Sequence, residues 1–194
     1  MALFTESDLR ARARARTTVL SKTFDSVLRE HVQKQEGIES HDIFLSHAYE
    51  DKELVLGAAL AVEDLGHTVY LDWRDDPQLD RSKVTAATAE RLRARMRVSK
   101  SLFFATTAQA TNSKWMPWEL GFMDGARSRV AIFPVSTKVG TNDYTGQEYL
   151  GIYPYVAEDP DKDGVKRLWI QRSAKIYTTF SNWLNGGEPR DHSQ

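Results

Sequence analysis

HDIFLSHAYEDKELVLGAALAVEDLGHTVYLDW, residues 41–73, carries the reading of the fold. DIFLS (42–46) is a short, unbroken apolar run, as in a strand covered on both faces. DKELVLGAALAVEDLG (51–66) has the spacing of an amphipathic helix, and TVYLDW (68–73) reads as a second strand. Strand, helix and strand in succession form a βαβ unit, which implies parallel pairing with the helix laid over the sheet.

Further along, RDDPQLDRS (74–82) is a polar loop, VTAATAERLRARMRVS (84–99) a helix, SLFFATT (101–107) a third strand and WMPWELGFMDGAR (115–127) a third helix. RVAIFPV (129–135) and YLGIYPYV (149–156) are read as strands four and five, and KRLWIQRSAKIYTTFSNWL (166–184) as a closing helix. Alternation of this kind predicts an α/β fold, a parallel sheet with helices on both faces. Upstream, residues 5–36 lack Gly and Pro and carry Leu9, Ala13, Leu20, Phe24, Val27 and Leu28 at roughly helical spacing, as one long helix or two short ones. Thr5 with Asp8 resembles a capping box with the shorter acid, and Gly37 is the expected C-cap. The expected organisation is a helical extension over 1–38, a domain over 39–186 and a tail over 187–194. No repeat and no low-complexity segment interrupts it.

Composition narrows the partners. The chain has 194 residues, 41% of them hydrophobic and 10% aromatic, enough for one sizeable core. A formal net charge of -1 gives no global pull toward nucleic acid or anionic membrane. Arg10, Arg12, Arg14 and Arg16 invite a nucleic-acid reading, but nearby acids make a solvated helix face the expected meaning. No apolar run reaches the roughly 18–20 residues that cross a bilayer, and no signal-peptide core begins the chain, so a cytoplasmic protein is expected. Zero cysteines exclude disulfides, thiolate metal sites and cysteine nucleophiles. His31, His41, His67 and His192 are scattered without a second ligand at metal spacing, so no metal is expected.

In parallel sheets ligands bind beyond the carboxyl ends of the strands. The loops there supply Ser46, His47, Ala48 and Tyr49 after the first strand, and Asp72, Trp73, Arg74, Asp75 and Asp76 after the second. After the third come Asn112, Ser113, Trp115 and Glu119. Glycine-rich phosphate loops, a phosphoacceptor aspartate at the end of strand three, H-E-x-x-H and G-x-S-x-G are all missing. Glu119 has two readings from the residues alone: a functional carboxylate, or a helix-start acid favoured by the helix dipole beside Pro117. Trp115 and Trp118 are core residues by default. Gly121 and Gly125 read as places of close helix-to-sheet packing, and His47 is either a cleft residue or a solvent-exposed loop histidine.

Three boxes in order resemble the Toll/interleukin-1 receptor (TIR) family: HDIFLSHAYEDKELV, GHTVYLDWRDDPQLDRSKV, and SKWMPWELG with its tryptophan four residues before a glutamate. The whole chain, including GQEYLGIYPYV (146–156), is similar to bacterial stand-alone TIR proteins, among them the TIR component of the Thoeris anti-phage system. The fold expected from this is a flavodoxin-like five-stranded parallel sheet of order 2-1-3-4-5 with the added N-terminal helical segment. The resemblance implies NAD⁺ glycohydrolase or cyclase chemistry, with NAD⁺ as substrate rather than cofactor. Nicotinamide leaves as a neutral molecule, so no general acid is required, and one aimed carboxylate stabilises the oxocarbenium-like ribose.

On the family's pattern Glu119 takes the catalytic role and Trp115, one helical turn earlier, stacks on a flat ring of the substrate. Ser46 and His47 border the cleft, Asp72 lies near the ribose, and Trp73 covers the cleft or packs beneath its loop. The loop after the second strand takes part in TIR self-association, and a downstream effector senses a cyclic product. Nucleic acid and membrane are not expected partners. Two further readings stay open: a non-catalytic adaptor acting through TIR–TIR binding, and a nucleoside deoxyribosyltransferase-like enzyme.

Overall fold

The computed structural model describes residues 1–35, 38–48, 51–71, 85–107, 110, 113–146 and 148–193. Gly37, Tyr49, Asp72, Trp73, Asn112 and the charged loop over 74–83 therefore lie outside the described residues.

The βαβ reading corresponds to β2 (His41–Ser46), α3 (Lys52–Glu63) and β3 (Val69–Leu71). Ile43 and Leu45 enter the core on one face of the sheet, while Phe44 enters it on the other. That two-sided burial is why the strand carries no polar alternation. β2 also pairs in parallel with β4 (Ser99–Thr106), which pairs in parallel with β5 (Val130–Ser136), which meets β6 (Tyr155–Pro160) in parallel at Ile132 and Tyr155. α4 (Ala86–Arg97) and α5 (Trp115–Arg127) contribute Leu92, Met96, Met116, Leu120 and Met123 to the Phe44 side.

The sheet does not stop at five strands. β7 (Lys166–Ser173), β8 (Ile176–Thr179) and β9 (Arg190–Asp191) extend it antiparallel, and β1 (Phe4–Thr5) adds in parallel to β5, making nine. The expected closing helix over 166–184 is thus corrected to two strands and a five-residue helix, α6 (Phe180–Leu184). Leu168 and Ile170 alternate into the core, at strand rather than helix spacing. The hairpin before them is set by Gly164 at φ 80° and by the Asp161 carboxylate, which accepts from the amides of Asp163 and Val165. The expected fifth strand at 149–156 begins later, at Tyr155, after a 3₁₀ turn over Glu148–Ile152.

The N-terminal segment forms two helices, α1 (Glu6–Leu20) and α2 (Phe24–Gln35), parted by Ser21 in the left-handed region at φ 51°. Thr5 caps α1 by accepting from the Asp8 amide at 3.1 Å, and its hydroxyl donates to the Asp8 carboxylate at 2.7 Å. Leu9 and Ala13 press on α3, whose residues Leu54–Val62 are all buried. The predicted amphipathic helix is therefore covered on nearly every side, because α1 lies over what would have been its solvent face. The arginine series meets α3's acids: Arg10 and Arg14 both bind Glu53, and Arg12 binds Asp64. Desolvation pushes the Glu53 carboxyl up, but the hydrogen bonds from Arg14 and Arg10 outweigh it and hold it below its ordinary value.

Candidate active site

Ser46 closes β2 and Glu119 lies on α5, 73 positions later, yet the Ser46 hydroxyl donates to Glu119 Oε2 at 2.6 Å. Both residues have 0% of their surface exposed. Ser46 lies at the carboxyl end of a central strand, opposite Phe104 of β4, on the edge where parallel sheets bind ligands, and α5 packs on both strands. Short hydrogen bonds to a carboxylate are about twice as strong as neutral ones. The pair is therefore a fixed feature of the fold rather than a surface contact.

The helix-start reading of Glu119 does not hold. α5 begins at Trp115, its first turn contains no acid, and Glu119 opens the second turn. The capping work is done instead by Ser113, whose hydroxyl accepts from the Met116 amide at 3.2 Å. Sequence reasoning placed Ser113 in the post-strand loop without giving it this role. Its spacing of three residues before the donating amide is the signal that identifies it.

His47 is 1% exposed, which corrects the reading of a solvent-exposed loop histidine. Its Nδ1 lies 3.3 Å from the Ala48 carbonyl oxygen. Trp115 and Trp118 are half-buried rather than core, their rings edge to face with centroids 5.5 Å apart. Trp118 stacks on Phe122 at 6.0 Å, and the Arg93 guanidinium sits 5.4 Å over the Trp118 ring. A row of aromatic surface thus runs along α5 beside the buried carboxylate, with arginines of α4 laid over its far end. Gly121 and Gly125 are exposed, and a Cβ at either would meet nothing within 4 Å, so neither marks close packing on the sheet.

The structure brings Ser46 and Glu119 into contact; His47 follows Ser46 in the chain, and Trp115 lies one turn before Glu119 on α5. Asp72 follows the last residue of β3 and lies, with Trp73, outside the described residues. Among the described residues no cluster of three His, Asp or Glu side chains stands ready for a metal ion. No helix of the described residues is long and apolar enough to cross a membrane. Chemically, the arrangement offers one buried carboxylate that accepts a hydrogen bond from Ser46, on a helix that also carries the aromatic row of Trp115, Trp118 and Phe122. It suits stabilisation of a developing positive charge.

No family model matches the chain. Among curated proteins it is similar to a "Probable 3' cyclic ADP-D-ribose synthase ThsB'" of Bacillus cereus (strain MSX-D12), 42% identical over 190 residues, which cover 95% of this chain and 98% of that protein. It is also similar to a "Putative cyclic ADP-D-ribose synthase TIR2" of Cytobacillus dafuensis, 31% identical over 83 residues, covering 42% of this chain and 22% of that protein.

Proposed function

Because the chain belongs to the TIR family, among proteins of the Thoeris cyclic ADP-ribose synthase kind, we propose that it cleaves NAD⁺ between nicotinamide and ribose and releases a cyclic ADP-ribose as an anti-phage signal. The observation that carries this reading is the buried Ser46–Glu119 pair beneath the aromatic row of α5. In the reaction the bond from ribose C1 to the pyridinium nitrogen breaks and its electron pair stays with nicotinamide, which leaves neutral. The positive charge left on the ribose faces the Glu119 carboxylate. A hydroxyl or ring nitrogen of the same molecule, or water, then bonds to C1, giving the cyclic or the linear product; an attacking hydroxyl or water loses a proton.

Each residue has a part in this account. Glu119 supplies the negative charge, and the Ser46 hydroxyl holds that carboxylate in one rotamer. Trp115 stacks on a flat ring of the substrate, His47 borders the cleft next to Ser46, and on the family's pattern Asp72 is assigned to the ribose and Trp73 to the cover of the cleft. The parallel strands serve as the flavodoxin-like sheet of the family, residues 39–186 as the TIR domain, and 1–38 and 187–194 as its helical extension and tail, in a cytoplasmic enzyme.

Full burial of Glu119 means that the conformation described is one in which no substrate touches the carboxylate. Catalysis on this account depends on self-association, in which the family's loop after the second strand, here 74–83, takes part. Incubation with NAD⁺ and, separately, with deoxynucleosides tests the function. Free nicotinamide from NAD⁺ alone is expected; free base from deoxynucleosides points to the deoxyribosyltransferase reading, and neither product points to an adaptor.

A further inference from the structure

A cavity of about 440 Å³ lies between the end of β4, the first turn of α5 and the segment over 144–150. Its size falls within the roughly 300–1,000 Å³ of small-molecule sites. Neither Ser46 nor Glu119 lines it. Pro117 does, two residues before Glu119 on the same helix and about 200° away around its axis.

The walls combine aromatic and hydroxyl groups. Tyr144 and Tyr149 bring ring surface, and Thr106 and Thr107 bring hydroxyls. Among the described residues that line it, the one charged group is an acid, Glu148. Burial holds the Tyr144 phenol above its ordinary value, so it stays neutral.

Three features mark a built site. A Cβ on Gly146 would stand 2.5 Å from the Gly151 amide nitrogen, so the loop is pinched shut at its base. Glu148, the first residue of the 3₁₀ turn, sits in the left-handed region at φ 49°, whereas Ser21 and Ser128, which share that conformation, are α-helix C-caps. Strained backbone of this kind gathers at ligand sites. Thr107 Oγ1 is buried without a hydrogen-bond partner among the described residues, where a polar ligand atom would satisfy it.

We propose that this cavity binds a nucleoside, its base against Tyr144 and Tyr149 and its ribose diol on Glu148. The aromatic faces suit a planar base. A carboxylate accepts both hydrogens of a cis-diol, and with no lysine or arginine among the described lining residues, any phosphate on the ribose stays outside the cavity. Resting on the NAD⁺ reading, the nucleoside is adenosine, either as the far half of the dinucleotide or as a free molecule.

Calorimetric titration of the full chain with adenosine tests this without any catalysis. Saturable binding is expected, weakened at least about fivefold by Tyr149→Ala and by Glu148→Gln, with unchanged melting midpoints. No saturable binding, or binding that both variants leave intact, overturns it. Kinetics with NAD⁺ and with nicotinamide mononucleotide, which lacks adenosine, separate the sources. A KM raised by Tyr149→Ala for NAD⁺ alone identifies the dinucleotide's own adenosine, and a KM unchanged for both identifies a free nucleoside. An equal rise for both overturns the proposal. If the parent protein releases no nicotinamide from either compound, the NAD⁺ reading fails while the titration still decides the cavity.

Discussion

The carbonyl oxygen of Leu9 stands 2.1 Å from the point that a Cβ on Gly57 would occupy, so α1 and α3 meet backbone to backbone. A methyl group there has no flexible side chain to displace and must push α1 off α3. Gly57→Ala is expected to destabilise the protein by about 1–3 kcal/mol, the usual range for overpacking. Removal of residues 1–36 should also lower the thermal midpoint, since Leu9, Ala13, Val27 and Leu28 all belong to the core. Thermal melts check both, and an unchanged midpoint in either would refute the docked extension.

Ser46→Ala leaves a buried carboxylate short of a donor. A loss of about 1–3 kcal/mol of stability is expected from the removal of that buried hydrogen bond. On the positioning role, kcat for nicotinamide release should fall about tenfold, equivalent to about 1.4 kcal/mol, with little change in KM. A rise in KM at unchanged kcat would show that Ser46 binds substrate instead of holding Glu119.

His41, 2% exposed at the start of β2, sits edge-on to Tyr70, and neither ring nitrogen has a hydrogen-bond partner among the described residues. Burial holds its pKa below the ordinary histidine value, with Arg95 pushing the same way and Asp42 opposing. The unfolded chain binds a proton near pH 6.5 that the folded chain refuses. Stability from this group is therefore full above about pH 6.5 and is lost as the pH falls from there through the folded value. His67, lowered by burial against the pull of Asp42, adds the same sign. Melting midpoints followed from about pH 7.5 to 5 should decline, and less steeply in His41→Phe. An identical slope in the variant would remove His41 from the account.

On the proposal that catalysis depends on self-association, specific activity is expected to rise with protein concentration. Specific activity held constant across a dilution series of about a hundredfold would leave self-association without a role.

Much of this was legible in the residues, for reasons that also explain what was not. β2 through α5 could be read because each strand is buried on two faces and each helix follows at the length a crossover needs. Ser46 and Glu119 were legible as members of two boxes, but the 2.6 Å bond between them depends on how α5 crosses the sheet, which no local pattern encodes. KRLWIQRSAKIYTTFSNWL misled because it lacks Gly and Pro; the turn that defines its hairpin, at Asp161–Gly164, lies just before it. α3 looked amphipathic because the helix that covers it comes from a distant part of the chain. Gly121 and Gly125 looked like packing contacts, but they lie on the open side of α5.

The central claim is that the buried carboxylate on α5 carries out the chemistry, and Glu119→Gln tests it most directly. The amide keeps the size and still accepts from Ser46, but it brings no negative charge to the ribose. Nicotinamide release from NAD⁺, followed in the folded variant beside the parent, should fall on the order of a hundredfold or more, while the melting midpoint stays close. Near-parental release by the folded Glu119→Gln protein would contradict the account.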